Sequence, residues 1–138
     1  MKIFRFFGVL LFAAVIVSSP SCGEEPVVVL PVSVKILGLW QQIEAKEEGF
    51  VITLDPYYTM DFNADQTVVI KEFDGTDDTE LDSTDDMWEL TNDNTEIDFD
   101  VSTDVEIVEI TDTRLVIRYQ GANQIGQSVE KEDTFQKQ

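Results

Sequence analysis

YYTMDF at residues 57–62 and TVVIKEF at residues 67–73, separated by Asn63-Ala64-Asp65-Gln66, decide how this chain is read. In the first arm Tyr58, Met60 and Phe62 fall on one side, with Thr59 and Asp61 on the other. A period of two marks a strand with one buried and one wet face. Aromatic and β-branched residues fill both arms, and Asn63 and Asp65 between them favour a turn, so the stretch reads as a β-hairpin.

Outward from this hairpin the pattern repeats. Ile97, Phe99 and Val101 alternate with Glu96, Asp98 and Asp100, and Leu115, Ile117 and Tyr119 with Arg114, Val116 and Arg118. Turn signals recur at Glu48-Gly49, Asp55-Pro56, Asp74-Gly75, Asn92-Asp93-Asn94, Ser102-Thr103-Asp104, Thr111-Asp112-Thr113 and Gly121 to Gly126. The spacing predicts strands at residues 38–46, 50–54, 57–62, 67–73, 87–90, 95–101, 105–110, 114–119 and 128–135. Leu37, Trp40, Ile43 and Lys46 also share helical spacing, but a helix there leaves the meander short of its first strand. The expected fold is all-β: a small up-and-down antiparallel barrel of about eight strands, closed so that exposed edges vanish.

The N-terminus has another character. Lys2 and Arg5 precede an uncharged apolar run from Phe6 to Val17, then Ser18, Ser19, Ser21 and the single cysteine, Cys22. The run is too short to span about 30 Å of hydrocarbon and has the layout of a secretory signal. Cysteine directly after a small-residue patch resembles the processing site of a bacterial lipoprotein. That resemblance implies a signal peptide over residues 1–21 and lipidation of Cys22, with residues 22–36 as a tether and 37–138 as the barrel domain. Glu24 and Glu25 resemble the acidic signal that follows the cysteine in surface-exported lipoproteins. Pro26 and Pro31 are expected to stiffen the tether and disfavour helix.

A wider resemblance rests on five segments. They are Gly38-Leu39-Trp40, the Tyr58–Phe62 to Thr67–Lys71 hairpin, Met87-Trp88-Glu89-Leu90, the run from Val108 to Arg118, and Glu132-Asp-Thr-Phe135. In order and spacing they resemble the lipocalin-like domains of Bacteroidetes-type lipoproteins, from about Leu37 to the C-terminus. The resemblance implies an up-and-down barrel with a possible ligand cavity, and a late basic side chain, Arg118 or Lys131, over the early tryptophan Trp40. It transmits no particular ligand.

Composition excludes much chemistry. With no histidine, the usual zinc and copper sites and His-based triads are absent. Neither a Walker-type nor a dinucleotide-binding glycine motif occurs. Removal of Lys2 and Arg5 with the signal leaves seven basic side chains against 28 acidic ones, a formal charge of −21. Such a surface repels nucleic acid and anionic head groups, so the membrane is reached through lipid on Cys22. A single acyl chain anchors marginally; several suffice. No enzyme activity and no cofactor are expected.

Two groups of side chains remain. Seven carboxylates crowd residues 74–86, and Asp77, Asp78, Asp82 and Asp85 are the residues that calcium, which takes six to eight oxygens, would use. No helix-flanked twelve-residue calcium motif is present, and a solvated hairpin loop is the plainer expectation. Among the aromatics, Trp40, Tyr57, Tyr58, Trp88 and Tyr119 are the ligand-binding candidates, with Tyr57 and Tyr58 placed for a barrel rim. Function is expected to be noncatalytic binding at the bacterial envelope, with the chain exported and lipid-anchored to the outer membrane. The ligand is either a small amphipathic molecule in the barrel or, through loops and strand edges, another envelope or surface protein. The mostly large inward residues favour a filled core.

Overall fold

The computed structural model describes residues 29–138. Cys22 and the predicted signal peptide lie outside them, as do tether residues 22–28. A helical turn, α1 (Val32–Lys35), precedes nine antiparallel strands: β1 (Gly38–Glu47), β2 (Phe50–Ile52), β3 (Tyr57–Phe62), β4 (Thr67–Phe73), β5 (Glu80–Thr91), β6 (Glu96–Phe99), β7 (Val105–Ile110), β8 (Arg114–Ala122) and β9 (Ser128–Lys137). Each strand from β3 onward pairs with the next, and β9 returns to pair with β1, closing an eight-stranded barrel. β2 is the ninth strand. It pairs only with residues 45–47 of β1, above the stretch where β3 pairs with residues 38–41.

The deciding hairpin forms as read. Met60 faces Ile70 and Phe62 faces Val68 across β3 and β4. Asn63 closes the turn on Thr67, while the Asp65 carboxylate accepts from both the amide and the hydroxyl of Thr67. Asn92, Asp93 and Asn94 all take left-handed backbone angles at the β5–β6 turn, where Asn and Asp pay least for them.

Three expectations change. The helical alternative for residues 37–48 is absent, but Pro31 does not prevent helix. Its carbonyl accepts from the amides of Val34 and Lys35, since a proline obstructs the turn before itself and not the one after. The acidic segment is strand from Glu80, seven residues earlier than expected. Asp, Ser and Glu are poor strand formers, yet β4 offers a ladder through Val68–Asp86, Ile70–Thr84 and Glu72–Asp82. β6 stops at Phe99, so Val101 does not continue the inward set of Ile97 and Phe99 and is 79% exposed. The Asp86 carboxylate takes the amides of Val101 and Ser102 and turns the chain away.

The core fills the end of the barrel where the chain enters. Ile36, Trp40, Phe62, Val68, Ile97, Leu115 and Phe135 are fully buried there, with Met60, Trp88, Phe99, Val105 and Ile117 around them. Phe62 meets Trp88 edge-on at 5.3 Å between centroids. Trp40 is held from two directions. Its indole N–H donates to the Ile36 carbonyl at 2.6 Å, and the Lys137 ammonium stands 5.1 Å from its ring centroid. Lys137 also donates to the Lys35 carbonyl at 3.0 Å. The stem of Lys137 passes over Gly38, where φ is +108° and a Cβ would come within 3.2 Å of it. The cation over Trp40 is therefore Lys137, not Arg118 or Lys131. Arg118 lies on the outer face among Glu106, Glu130 and Glu132, and Lys131 sits at the other end of the barrel.

Candidate functional site

Register determines what faces the barrel interior at its open end. On β8 and β9 the inward parity runs Leu115, Ile117, Tyr119, Gly121 and Phe135, Asp133, Lys131. On β1 it runs Trp40, Gln42 and then, after a bulge between Gln42 and Glu44, Ala45 and Glu47. Tyr58 and Glu72 face each other from β3 and β4. The inward set thus changes from apolar to polar halfway along the barrel.

This polar layer is tied together. The Tyr119 hydroxyl donates to Asp133 Oδ2 at 3.0 Å, and the Tyr58 amide donates to Gln42 Oε1 at 3.1 Å. Asp133 and Gln42 are buried. Burial raises the Asp133 carboxyl above its ordinary value, against the opposing pull of Tyr119, Gln42 and the Lys131 charge. Burial, then the Asp133 charge, drives the Tyr119 hydroxyl far up, so it stays a donor. Tyr58 rises through burial and the neighbouring Glu72.

Above the layer lies an open hollow of about 1020 Å³ between the β1–β2 hairpin and the β8–β9 turn. Phe50, Ile52 and Ile125 form its apolar wall, and Glu47, Glu48, Asp55 and Lys131 its charged part. Gly121 leaves room for the Lys131 stem: a Cβ there would lie 2.9 Å from Lys131 Cδ. Lys131 Nζ is 4.0 Å from Glu47.

The predicted site residues divide between the two ends. Tyr58 and Tyr119 come together in the polar layer. Trp40 and Trp88 belong to the core of the closed half, Trp88 donating its indole N–H to the Thr67 carbonyl at 3.1 Å. Tyr57 has the outward parity of β3. It stacks on Phe73 at 5.3 Å, and its hydroxyl donates to Asp78. The four aspartates proposed for calcium are spread out. Asp77 caps the Thr79 amide, Asp78 takes Tyr57, and Asp82 and Asp85 stand at separate positions along β5. Among the described residues no three acidic side chains gather in a metal-binding arrangement.

Sequence reasoning missed Gln42, Glu47, Glu72 and Asp133, and set Lys131 over Trp40 at the wrong end of the barrel. Parity with Phe135 gives Asp133 and Lys131, and parity with Phe62 and Val68 across the hairpin gives Glu72. Glu47 was hidden by the bulge, because plain alternation from Trp40 sends it outward.

A closed eight-strand meander with a filled base and an open mouth is the architecture of small up-and-down barrels that hold one small ligand. The chain belongs to the family of lipocalin-like domains, whose pattern matches residues 36–117. Solved structures of similar fold include an odorant-binding protein, OBP1, at 14% identity and a TM-score of 0.50, with 77% of this chain and 73% of that one covered. A bovine odorant-binding protein complexed with its natural ligand aligns at 18% identity and a TM-score of 0.49, covering 83% of this chain and 77% of its own. A bovine lipocalin allergen gives 17% identity and a TM-score of 0.49, covering 77% and 75%. No curated protein sequence matches the chain.

Proposed function

We propose that this chain is a noncatalytic binding module of the bacterial envelope, lipid-anchored through Cys22, that takes a small amphipathic ligand at the open end of its barrel. The observation that carries the reading is the division of the interior. The closed half is packed with Trp40, Phe62, Trp88, Phe99 and Phe135, while the open half ends in a polar floor beneath a hollow with an apolar wall. A ligand with an apolar body and a polar head suits such a place; a long acyl chain would have to displace the core. The test is native mass spectrometry of the mature chain purified gently from cells. A bound small molecule lost on Phe50→Asp supports the reading, and a ligand retained by that variant refutes a mouth site.

The anchor and location rest on the order of Lys2, Arg5, the apolar run, the serines and Cys22. Metabolic labelling with a clickable fatty acid is expected to mark the wild type, and Cys22→Ser to abolish both the label and membrane fractionation.

A second reading, docking of an envelope protein, is favoured by β2. Phe50, Val51 and Ile52 are all exposed, and among the described residues β2 ends the sheet with one edge unpaired. An extended peptide could add there as a further strand. Crosslinking from position 51 in cells, giving a discrete adduct, would favour this reading over the first.

A further inference from the structure

We infer that the ligand of the mouth is a small organic cation, an apolar body bearing one ammonium group; this rests on the reading of the mouth as a small-molecule site. The hollow provides both halves of such a ligand's surroundings. Phe50, Ile52 and Ile125 give an apolar wall exposed to solvent in the free protein. Among the described residues, Glu47, Glu48 and Asp55 stand there against a single cation, Lys131. That cation is already engaged. Its ammonium lies 4.0 Å from Glu47, and its charge acts on Asp133 directly below. An anionic head group entering the hollow would compete with Glu47 for Lys131 and meet uncompensated carboxylates. A cationic head group meets carboxylates whose only local competitor among the described residues is Lys131. The chain's formal charge of −19 adds a field of the same sign, and a concave, partly apolar wall focuses it. Beneath, Asp133, which accepts from the Tyr119 hydroxyl, stands at the next inward position of β9 below Lys131.

Three water-soluble probes of one shape but different charge test this: 2-phenylethylamine, 2-phenylethanol and 3-phenylpropionate. Their binding is measured by titration calorimetry on the full mature chain carried in phosphatidylcholine nanodiscs, with empty discs subtracted. The amine is expected to bind at least about tenfold tighter than the alcohol, and the alcohol tighter than the carboxylate. The double variant Glu47→Gln/Glu48→Gln should shrink the amine's advantage to about threefold or less, and Lys131→Gln should enlarge it. Asp93→Asn/Asp112→Asn removes the same number of charges at the opposite end, and should leave the preference in place. Equal or tighter binding of the carboxylate or alcohol, or a preference that falls equally in the remote double variant, overturns the cation assignment while leaving the mouth as a binding site. If none of the three probes binds, the small-ligand reading of the mouth fails, and the inference fails with it.

Discussion

Two buried aspartates show how the same side chain acquires opposite behaviour. Asp86 accepts from the backbone amides of Met87, Val101 and Ser102 at 2.8, 3.1 and 2.9 Å. Burial alone would raise its carboxyl, but these hydrogen bonds to the charged form outweigh burial and hold it below its ordinary value. Its stabilisation is therefore complete above the unfolded-state pKa and is lost as the pH falls through the lower folded value. Asp86→Asn should cost about 2 kcal/mol near neutral pH, the scale for hydrogen bonds to a charged group, with the deficit closing in acid. Urea melts across pH check this. Asp133 runs the other way. Its raised carboxyl makes the ionised form a burden on the fold, so stability recovers as the pH falls through the folded value. Asp133→Asn should be more stable than wild type at neutral pH, with the difference vanishing in acid. A variant less stable at every pH would show that the Tyr119–Asp133 bond outweighs the cost of burying the charge.

At the scale of elements, β5 explains the acidic segment. Residues 80–87 pair with β4 on one side and, among the described residues, have no strand on the other, because β6 pairs only with residues 88–91. An unpaired strand edge invites association, and charges along it discourage that. Lys71 and Glu80 bridge this stretch to β4 at 2.8 Å. The first strand and last strand are joined differently, through Trp40, Lys137 and the end of α1. Trp40→Ala should cost about 3–5 kcal/mol, the range for a large buried aromatic. Lys137→Ala should cost about 1–2 kcal/mol, since it loses one cation–π contact and one hydrogen bond but leaves the ring packed. Denaturant melts that place Lys137→Ala at or above the cost of Trp40→Ala would invert this account of the closed end.

The whole molecule carries its excess of carboxylates on a small closed barrel. Ion pairs are local: Lys46 with Glu44 and Glu132 at 3.2 and 2.9 Å, Arg118 with its three glutamates, Lys71 with Glu80, Arg114 with Glu109 and Lys131 with Glu47. The rest of the charge is self-repulsion that salt screens. Raising sodium chloride from about 10 to about 150 mM should therefore raise the denaturation midpoint, the Debye length shrinking from about 30 to about 8 Å. A midpoint that falls with salt would mean that the pairs dominate.

Local chemistry was enough for the architecture. Alternation in Tyr58–Phe62 and Leu115–Tyr119 and the Asn/Asp turns specify strands and reversals within a few residues, and a run of hairpins has few closures open to it. The site needed the tertiary structure. A bulge between Gln42 and Glu44 moves Glu47 to the inner face, a ladder from β4 makes a strand of acidic residues, and closure of β9 on β1 brings Lys137 to Trp40. The bulge and the Lys137 contact depend on β9, distant in sequence from β1, and the acidic strand depends on the ladder that β4 offers; side-chain parity carries no information about a register that the partner sets.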